Sequence, residues 1–125
     1  MDYFEDPQNV NDYIQMADGY DGQELIQILK SRLPTGASVL ELGMGPGKDL
    51  DLLLRDYRAA GSDRSQVFLD LYRDSHPGAD LIQLDAVNLD TARKFDCIYS
   101  NKVLHHLTPE QLVQSFTRQN EILNS

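Results

Sequence analysis

The sequence feature that most constrains the fold is a run of alternating glycines, Gly43, Gly45 and Gly47, directly after the stretch 39–42, which is apolar except for Glu41. Glycine permits tight turns and lets the backbone approach a ligand closely, because it carries no Cβ. A helix to about residue 57 is predicted by apolar side chains at i, i+3, i+4 and i+7, namely Leu50, Leu53, Leu54 and Tyr57. A buried strand, a glycine turn and a helix form the first crossover of a nucleotide-binding α/β fold.

The spacing of the glycines in this loop does not match either of two phosphate-binding motifs. A dinucleotide fingerprint needs Gly at its first, third and sixth positions, but the sixth position counted from Gly43 is Lys48. A P-loop needs Gly where Leu42 stands, and Ser or Thr after the lysine, where Asp49 stands. A ligand without phosphate that carries positive charge therefore fits a loop fronted by Glu41 better.

Residues 41–47, Glu-Leu-Gly-Met-Gly-Pro-Gly, resemble the first motif (acidic-x-Gly-x-Gly-x-Gly) of class I S-adenosylmethionine-dependent methyltransferases. The resemblance covers about residues 20–125 and implies that S-adenosyl-L-methionine is the cofactor. From this motif, the residues expected to bind it are Glu41, Gly43, Met44, Gly45 and Gly47.

The alternation of strands and helices predicts an α/β fold with right-handed crossovers. We expect a Rossmann-like three-layer sandwich with a parallel sheet of about four strands, ordered 3-2-1-4. The resembled family continues with further strands, so residues 1–125 are expected to form one truncated domain. Its first 20 residues are expected to be a cap over the cofactor or a mobile segment.

A second acidic position follows Glu41 by about 20 residues, at the end of the predicted second strand. Asp63 is placed there to accept hydrogen bonds from ribose hydroxyls, and Arg64 is included with it as cofactor-binding. The alternative is a helix cap, since Asp63 and Gln66 form a capping-box pattern.

A third strand is predicted over residues 80–86 and ends with Asp85 and Ala86. These two residues resemble the family's adenine-binding motif, in which a carboxylate meets the exocyclic amine and the next N–H meets a ring nitrogen. The alternative is that Asp85 only opens a turn.

The fourth strand is predicted over residues 95–100, and the stretch from Ser100 to Leu107 resembles the family's fourth motif. The resemblance implies that Ser100 and Asn101 lie beside the methionine portion of the cofactor. Its Leu-His-His-Leu run is typical of the branch that methylates small molecules. Where the acceptor is a hydroxyl or amine, a general base helps, and His106, ahead of His105, is the candidate catalytic residue. The alternative for both is a structural role.

A helix is predicted from Thr108, with Pro at its first position and Gln111 completing a capping box. Its expected apolar face contains Leu112, Phe116, Gln119 and Leu123. The edge of strand four would have unpaired backbone groups, which predicts a homodimer through that edge. A truncated or degenerate fold that binds cofactor or self-associates without catalysis is the alternative function.

Charge and cysteine content exclude several classes of protein. A net charge of −9 argues against a nucleic-acid-binding surface, which normally carries a basic patch. The single cysteine, Cys97, rules out an intrachain disulfide and fits a reducing compartment. No apolar run reaches membrane-spanning length, and the acidic N-terminus is unlike a signal peptide, so a cytoplasmic protein is expected. Its histidines and cysteine show no zinc-binding spacing, so no metal is expected.

Overall fold

The computed structural model describes residues 22–101 and 103–124. The expected N-terminal cap or mobile segment therefore lies outside the described residues. In chain order the elements are α1 (Gln23–Lys30), β1 (Ser38–Leu42), α2 (Lys48–Leu53), β2 (Arg58–Asp63), α3 (Gln66–Ser75), β3 (Leu81–Gln83), β4 (Cys97–Ser100), a 3₁₀ helix (Leu104–His106) and α4 (Pro109–Ile122).

The four strands form one parallel sheet in the order β3-β2-β1-β4. This confirms the predicted order 3-2-1-4. In the register of the sheet, Glu41 of β1 lies between Gly61 of β2 and Tyr99 of β4. The chain proceeds from β1 towards β2 and β3 on one side and then returns to β4 on the other. The carboxyl end of β1 is therefore the switch point, where ligands of open α/β sheets bind.

The two faces of the sheet bury different layers of helix, which confirms the three-layer arrangement. Val39 packs with apolar side chains of α1, α2 and α3 on one face. Leu40 and Leu42, which alternate with it, pack on the other face with Ile122 of α4. Side chains of a strand alternate between the faces, so this short apolar run serves both cores.

The helix after the glycine loop is shorter than predicted. It ends at Leu53, and Leu54 is 44% exposed, so the predicted extension to Tyr57 is wrong. The N–H groups of Arg55 and Asp56 bond to carbonyls three residues back, and this tighter turn returns the chain to β2. Tyr57 is nevertheless buried, and its hydroxyl donates to the carbonyl of Leu33 at 3.0 Å.

Helix α4 begins as predicted, and its buried face differs in part from the expected one. Thr108 and Gln111 form the reciprocal capping box, which confirms the predicted helix start. The buried residues of the helix are Ser115 and Ile122, whereas Phe116 is 52% exposed. Of the expected face, Leu112, Gln119 and Leu123 are half-buried, so the prediction is wrong for Phe116. The small Ser115 lets the helix approach the loop after β3, where its hydroxyl donates to the carbonyl of Ala86 at 2.6 Å.

Strand β4 is at the edge of the sheet, as expected. Residues 122–124 pair with Phe95, which precedes the strand. The N–H of Phe95 donates to the carbonyl of Ile122 at 2.9 Å, and the N–H of Asn124 donates to the carbonyl of Phe95 at 2.8 Å. The homodimer through this edge stays a prediction. Within the described ranges, none of the helices has the length and apolar character to cross a membrane.

Candidate cofactor site

The glycine loop joins β1 to α2 in a conformation that few other residues adopt. Gly43, Gly45 and Gly47 have φ angles of +61°, +52° and +89°. A Cβ on Gly43 would collide with the side chain of Val103, and one on Gly47 would collide with the ring of Tyr72. The glycines thus allow the loop to pack closely against α3 and the segment after β4.

Glu41, near the end of β1, is a buried acid with an unpartnered oxygen. Its residue is 3% exposed, and its Oε1 is the one buried side-chain N or O atom in the described part of the chain without a hydrogen-bond partner. Burial first, then the negative charges of Asp49 and Asp63, raise the pKa of the Glu41 carboxyl well above its ordinary value. Such an oxygen is costly unless a ligand or ion supplies the missing partner.

Asp63, at the end of β2, ties that strand to the glycine loop. Its Oδ2 accepts from the N–H of Gly45 at 3.0 Å, and its Oδ1 accepts from the N–H of Ser65 at 2.9 Å. The N-cap of α3 is Ser65, so the capping-box alternative for Asp63 is wrong. Arg64 is exposed, and its carbonyl accepts from Gln83 at 3.1 Å.

The adenine-motif residues lie beyond the end of β3. The strand spans Leu81–Gln83, which is shorter than the predicted 80–86. Asp85 is half-buried, and its Oδ1 accepts from the N–H of Val87 at 2.7 Å, so it does open a turn. The N–H of Leu84 donates to the carbonyl of Asp63, the residue expected to bind ribose. Asp85, the next residue after Leu84, is therefore held near Asp63. Adenine binding by Asp85 and Ala86 stays a prediction.

Met44 occupies the core. It is 4% exposed, and its N–H donates to the carbonyl of Ser62 at 2.8 Å. Its sulfur lies under Gly61, where a Cβ would overlap it. The structure therefore assigns the Met44 side chain to packing beneath the loop, whereas the flanking glycines form the loop itself.

The residues of the fourth motif follow β4 at the same end of the sheet. Ser100 and Asn101 are half-buried, and the side-chain N–H of Asn101 donates to Asp49 at 3.0 Å. His106 is exposed in the 3₁₀ helix, and its backbone N–H donates to the carbonyl of Val103. The side chain of His105 is outside the described part of the chain. A general-base role for His106 stays a prediction.

One residue of this region, Asp49, was not expected to contribute. It is 7% exposed and accepts three hydrogen bonds: from the N–H of Gly22 at 2.6 Å, from the Tyr99 hydroxyl at 2.7 Å, and from Asn101. In the sequence it is only an acid in the first turn of a helix, which is ordinarily a solvated position. Its donors lie 27 to 52 positions away, so no local pattern could reveal them.

The carboxyl ends of β1, β2 and β4 thus bring together a glycine loop and three buried acids. Glu41, Asp49 and Asp63 are each at most 7% exposed. Close backbone approach and concentrated negative charge suit a ligand that has hydroxyl groups and positive charge. In the described residues, no group of three or more His, Cys, Asp or Glu side chains is arranged to hold a metal.

Comparison with known proteins agrees with this geometry. The sequence model of a family described as methyltransferase domain matches residues 39–125. Comparison with the curated proteins gives no match. Among solved structures, DesVI of Streptomyces venezuelae superposes with a TM-score of 0.76 and 25% identity, over 95% of this chain and 53% of its own.

Two further structures share the fold at lower identity. A putative S-adenosylmethionine-dependent methyltransferase of Methanococcus maripaludis gives a TM-score of 0.80 at 16% identity, over 100% of this chain and 61% of its own. The amino pentose methyltransferase CalS10 of Micromonospora echinaspora, solved with S-adenosylmethionine bound, gives 0.65 at 19%, over 99% and 48%. The chain therefore spans about half the length of the solved structures that it matches.

Proposed function

The chain belongs to the methyltransferase domain family, and from this premise we propose that it binds S-adenosyl-L-methionine and methylates a small-molecule acceptor. The observation that carries the proposal is the glycine loop at the end of β1, together with the buried acids Glu41 and Asp63. The loop presents backbone in left-handed conformations, Asp63 holds the N–H of Gly45, and Glu41 has a buried oxygen that no group in the described residues satisfies.

These residues fit the cofactor in chemical character. S-Adenosylmethionine carries a sulfonium and an ammonium charge, and the acids at this end of the sheet complement both. Asp63 is a carboxylate at the end of β2, and we propose that it accepts hydrogen bonds from the ribose hydroxyls. Asp85 and Ala86, which follow β3, are proposed to bind adenine. Ser100 and Asn101, which follow β4, are proposed to bind the methionine portion.

The chemistry needs little from the protein beyond positioning. When bound, S-adenosylmethionine supplies a methyl carbon that the positive sulfur already activates. The chain's own residues have to hold donor and acceptor in line, and such positioning can contribute about 7–11 kcal/mol. His106, next to the end of β4, is proposed to take a proton from a hydroxyl or amine acceptor.

A small molecule is the acceptor class that we propose. The net charge of −9 disfavours nucleic acid as a partner. CalS10, which shares the fold, is an amino pentose methyltransferase, so this architecture accommodates acceptors of that size. A cytoplasmic location is part of the proposal because a single free cysteine fits a reducing compartment.

The alternative is a domain that binds the cofactor or associates with a second copy without catalysing transfer. Its supporting observation is β4, an edge strand with pairing to β1 alone between residues 97 and 100. Exposed edges pair readily with other strands. Light scattering at high protein concentration tests the homodimer, and a strictly monomeric mass would rule it out.

Calorimetric titration tests the cofactor assignment. We expect micromolar binding of S-adenosylmethionine and S-adenosylhomocysteine, with no binding of NAD or ATP. The variant Gly45→Val should lose most of that affinity, because a β-branched residue is strained at φ +52°. A folded wild-type chain that binds neither ligand, or a Gly45→Val variant with unchanged affinity, would refute the assignment.

A further inference from the structure

We propose that Asp49 is a positioning residue: it fixes the side-chain amide of Asn101 so that the Asn101 carbonyl oxygen accepts a hydrogen bond from the ligand's ammonium group. This inference rests on the proposed function, because the ammonium group belongs to the amino-acid portion of S-adenosylmethionine. It concerns the orientation of the Asn101 side chain, and its test measures ligand affinity rather than enzymatic turnover.

The hydrogen bonds of Asp49 determine which way the amide points. An ionised carboxylate only accepts, so each of its three partners must present a donor. The N–H of Gly22 donates to Oδ1, while the Tyr99 hydroxyl and the Asn101 Nδ2 both donate to Oδ2. Because the NH₂ of Asn101 faces Asp49, its Oδ1 is turned away. An amide held by an acceptor-only partner has its orientation set by the network.

The packing around Asp49 leaves the amide little freedom to turn. A Cβ on Gly22 would lie 2.6 Å from Asp49 Oδ2 and 3.0 Å from Asn101 Nδ2, and it would overlap the Tyr99 hydroxyl. These groups come from three parts of the chain: the start of α1, the first turn of α2 and the end of β4. They are packed at contact distance, so rotation of the amide has to disturb at least one bond to Asp49.

The charge of the region favours a cation as the partner of Asn101 Oδ1. Asp49 and Asp51 contribute to the negative field that acts on Glu41, whose Oε1 has no partner in the described residues. A neutral acceptor placed in such a field attracts a protonated amine more strongly than a neutral donor. The geometry therefore combines one oriented carbonyl with surrounding carboxylates, which suits an ammonium group.

The variant Asp49→Asn tests the orientation. The new amide would present N–H to Asn101, and Asn101 would turn its carbonyl inward and its NH₂ towards the ligand. We expect S-adenosylhomocysteine, which has the ammonium group, to bind about 10- to 100-fold more weakly, as expected for the loss of a charged hydrogen bond. 5′-Methylthioadenosine lacks the amino-acid portion, and its affinity should stay within about twofold.

Three further variants separate orientation from folding. Asn101→Ala leaves Asp49 in place and should reproduce the selective loss. Tyr99→Phe removes a hydrogen bond from the same carboxylate without reversing the amide, so it should lower the unfolding temperature and leave the ratio of the two affinities unchanged. The exchange Asp49→Asn with Asn101→Asp restores a donor-to-carboxylate bond, puts an acceptor towards the ligand again, and should recover the affinity for S-adenosylhomocysteine.

The outcomes are distinguishable. Equal weakening of both ligands in Asp49→Asn, or no weakening of either, would overturn the inference and leave the proposed function intact. Failure of the exchange variant to recover binding while it unfolds cooperatively would also overturn it. A wild-type chain that binds neither ligand would overturn the proposed function and this inference together.

Discussion

Replacement of Glu41 by Gln should make the ligand-free protein more stable at neutral pH and weaken its binding of cofactor. The substitution keeps the volume of a side chain that is 3% exposed and replaces its ionisable carboxyl group with a neutral amide. It also replaces an oxygen that has no hydrogen-bond partner within residues 22–101 and 103–124 with an amide group. The neighbouring carboxylates of Asp49 and Asp63 accept hydrogen bonds, so the new N–H donors would enter a region of acceptors.

The magnitude follows from the isolation of this oxygen. A buried polar group without a partner costs about 1–3 kcal/mol, and a charged one costs more. We therefore expect Glu41→Gln to raise the free energy of unfolding at pH 8 by about 1–3 kcal/mol. For a chain of this size, that corresponds to roughly 4 °C in unfolding temperature per kcal/mol.

The pH dependence fixes the sign of the effect. The pKa of Glu41 is raised in the folded state above the ordinary value of 4.5, so the folded protein holds this proton longer than the unfolded chain. The stability of the wild type should therefore fall as pH rises from about 4.5 through the raised pKa. Gln does not titrate, and the advantage of Glu41→Gln should grow over the same interval.

Urea unfolding at pH 5, 6, 7 and 8 measures this difference, with Asp63→Asn as the matched control. Both oxygens of Asp63 accept backbone N–H groups, and an amide nitrogen cannot replace either, so that variant should lose about 1–3 kcal/mol. Calorimetry should show weaker S-adenosylhomocysteine binding in both variants. A Glu41→Gln advantage that is equal at pH 5 and pH 8, or absent at pH 8, would refute the reasoning.

Two further predictions concern the fold. Gly47→Ala should lose more stability in urea unfolding than Gly36→Ala. Both glycines have φ +89°, a conformation that costs a residue with a side chain about 1–2 kcal/mol. Of the two, only Gly47 has a neighbour, the ring of Tyr72, with which the new Cβ would collide. Equal losses of stability in the two variants would show that the Tyr72 ring moves away from the new Cβ without lowering the free energy of unfolding. Ile122→Ala should lose about 2–5 kcal/mol because Ile122 is 2% exposed, whereas Phe116→Ala, at a side chain 52% exposed, should lose far less. Similar losses in thermal or urea unfolding would contradict the observed face of α4.

Those parts of the fold that depend on short-range chemistry could be predicted from the sequence. The strand order follows from alternating strands and helices, and the start of α4 follows from Thr108 and Gln111, which satisfy each other within one turn. The burial of Ser115 in α4 could not be predicted this way. Ser115 is buried where its hydroxyl donates to the carbonyl of Ala86, 29 positions away. Because Ser115 is polar, it does not contribute to the apolar periodicity from which a buried helix face is predicted.

The same distinction separates the candidate site residues. Glu41, Gly43 and Gly45 stand in one local motif, and spacing alone brings Asp63 to the end of the neighbouring strand. Asp49 was visible in the sequence only as a residue that breaks a P-loop pattern. Its role depends on donors from α1 and β4, which become its neighbours only when the sheet has formed.

The three buried acids differ in the hydrogen bonds that they accept from the described residues, and this difference supports the proposed position of the ligand. Asp49 accepts three hydrogen bonds and Asp63 accepts two backbone N–H groups, so both carboxylates already hold the structure together. Glu41 lies between Gly61 of β2 and Tyr99 of β4 in the sheet register, and its Oε1 has no hydrogen-bond partner among the described residues. A fold that satisfied only its own stability would place an apolar or amide side chain there. The retained acid is therefore best explained by a cationic ligand whose positive charge offsets the cost of its burial.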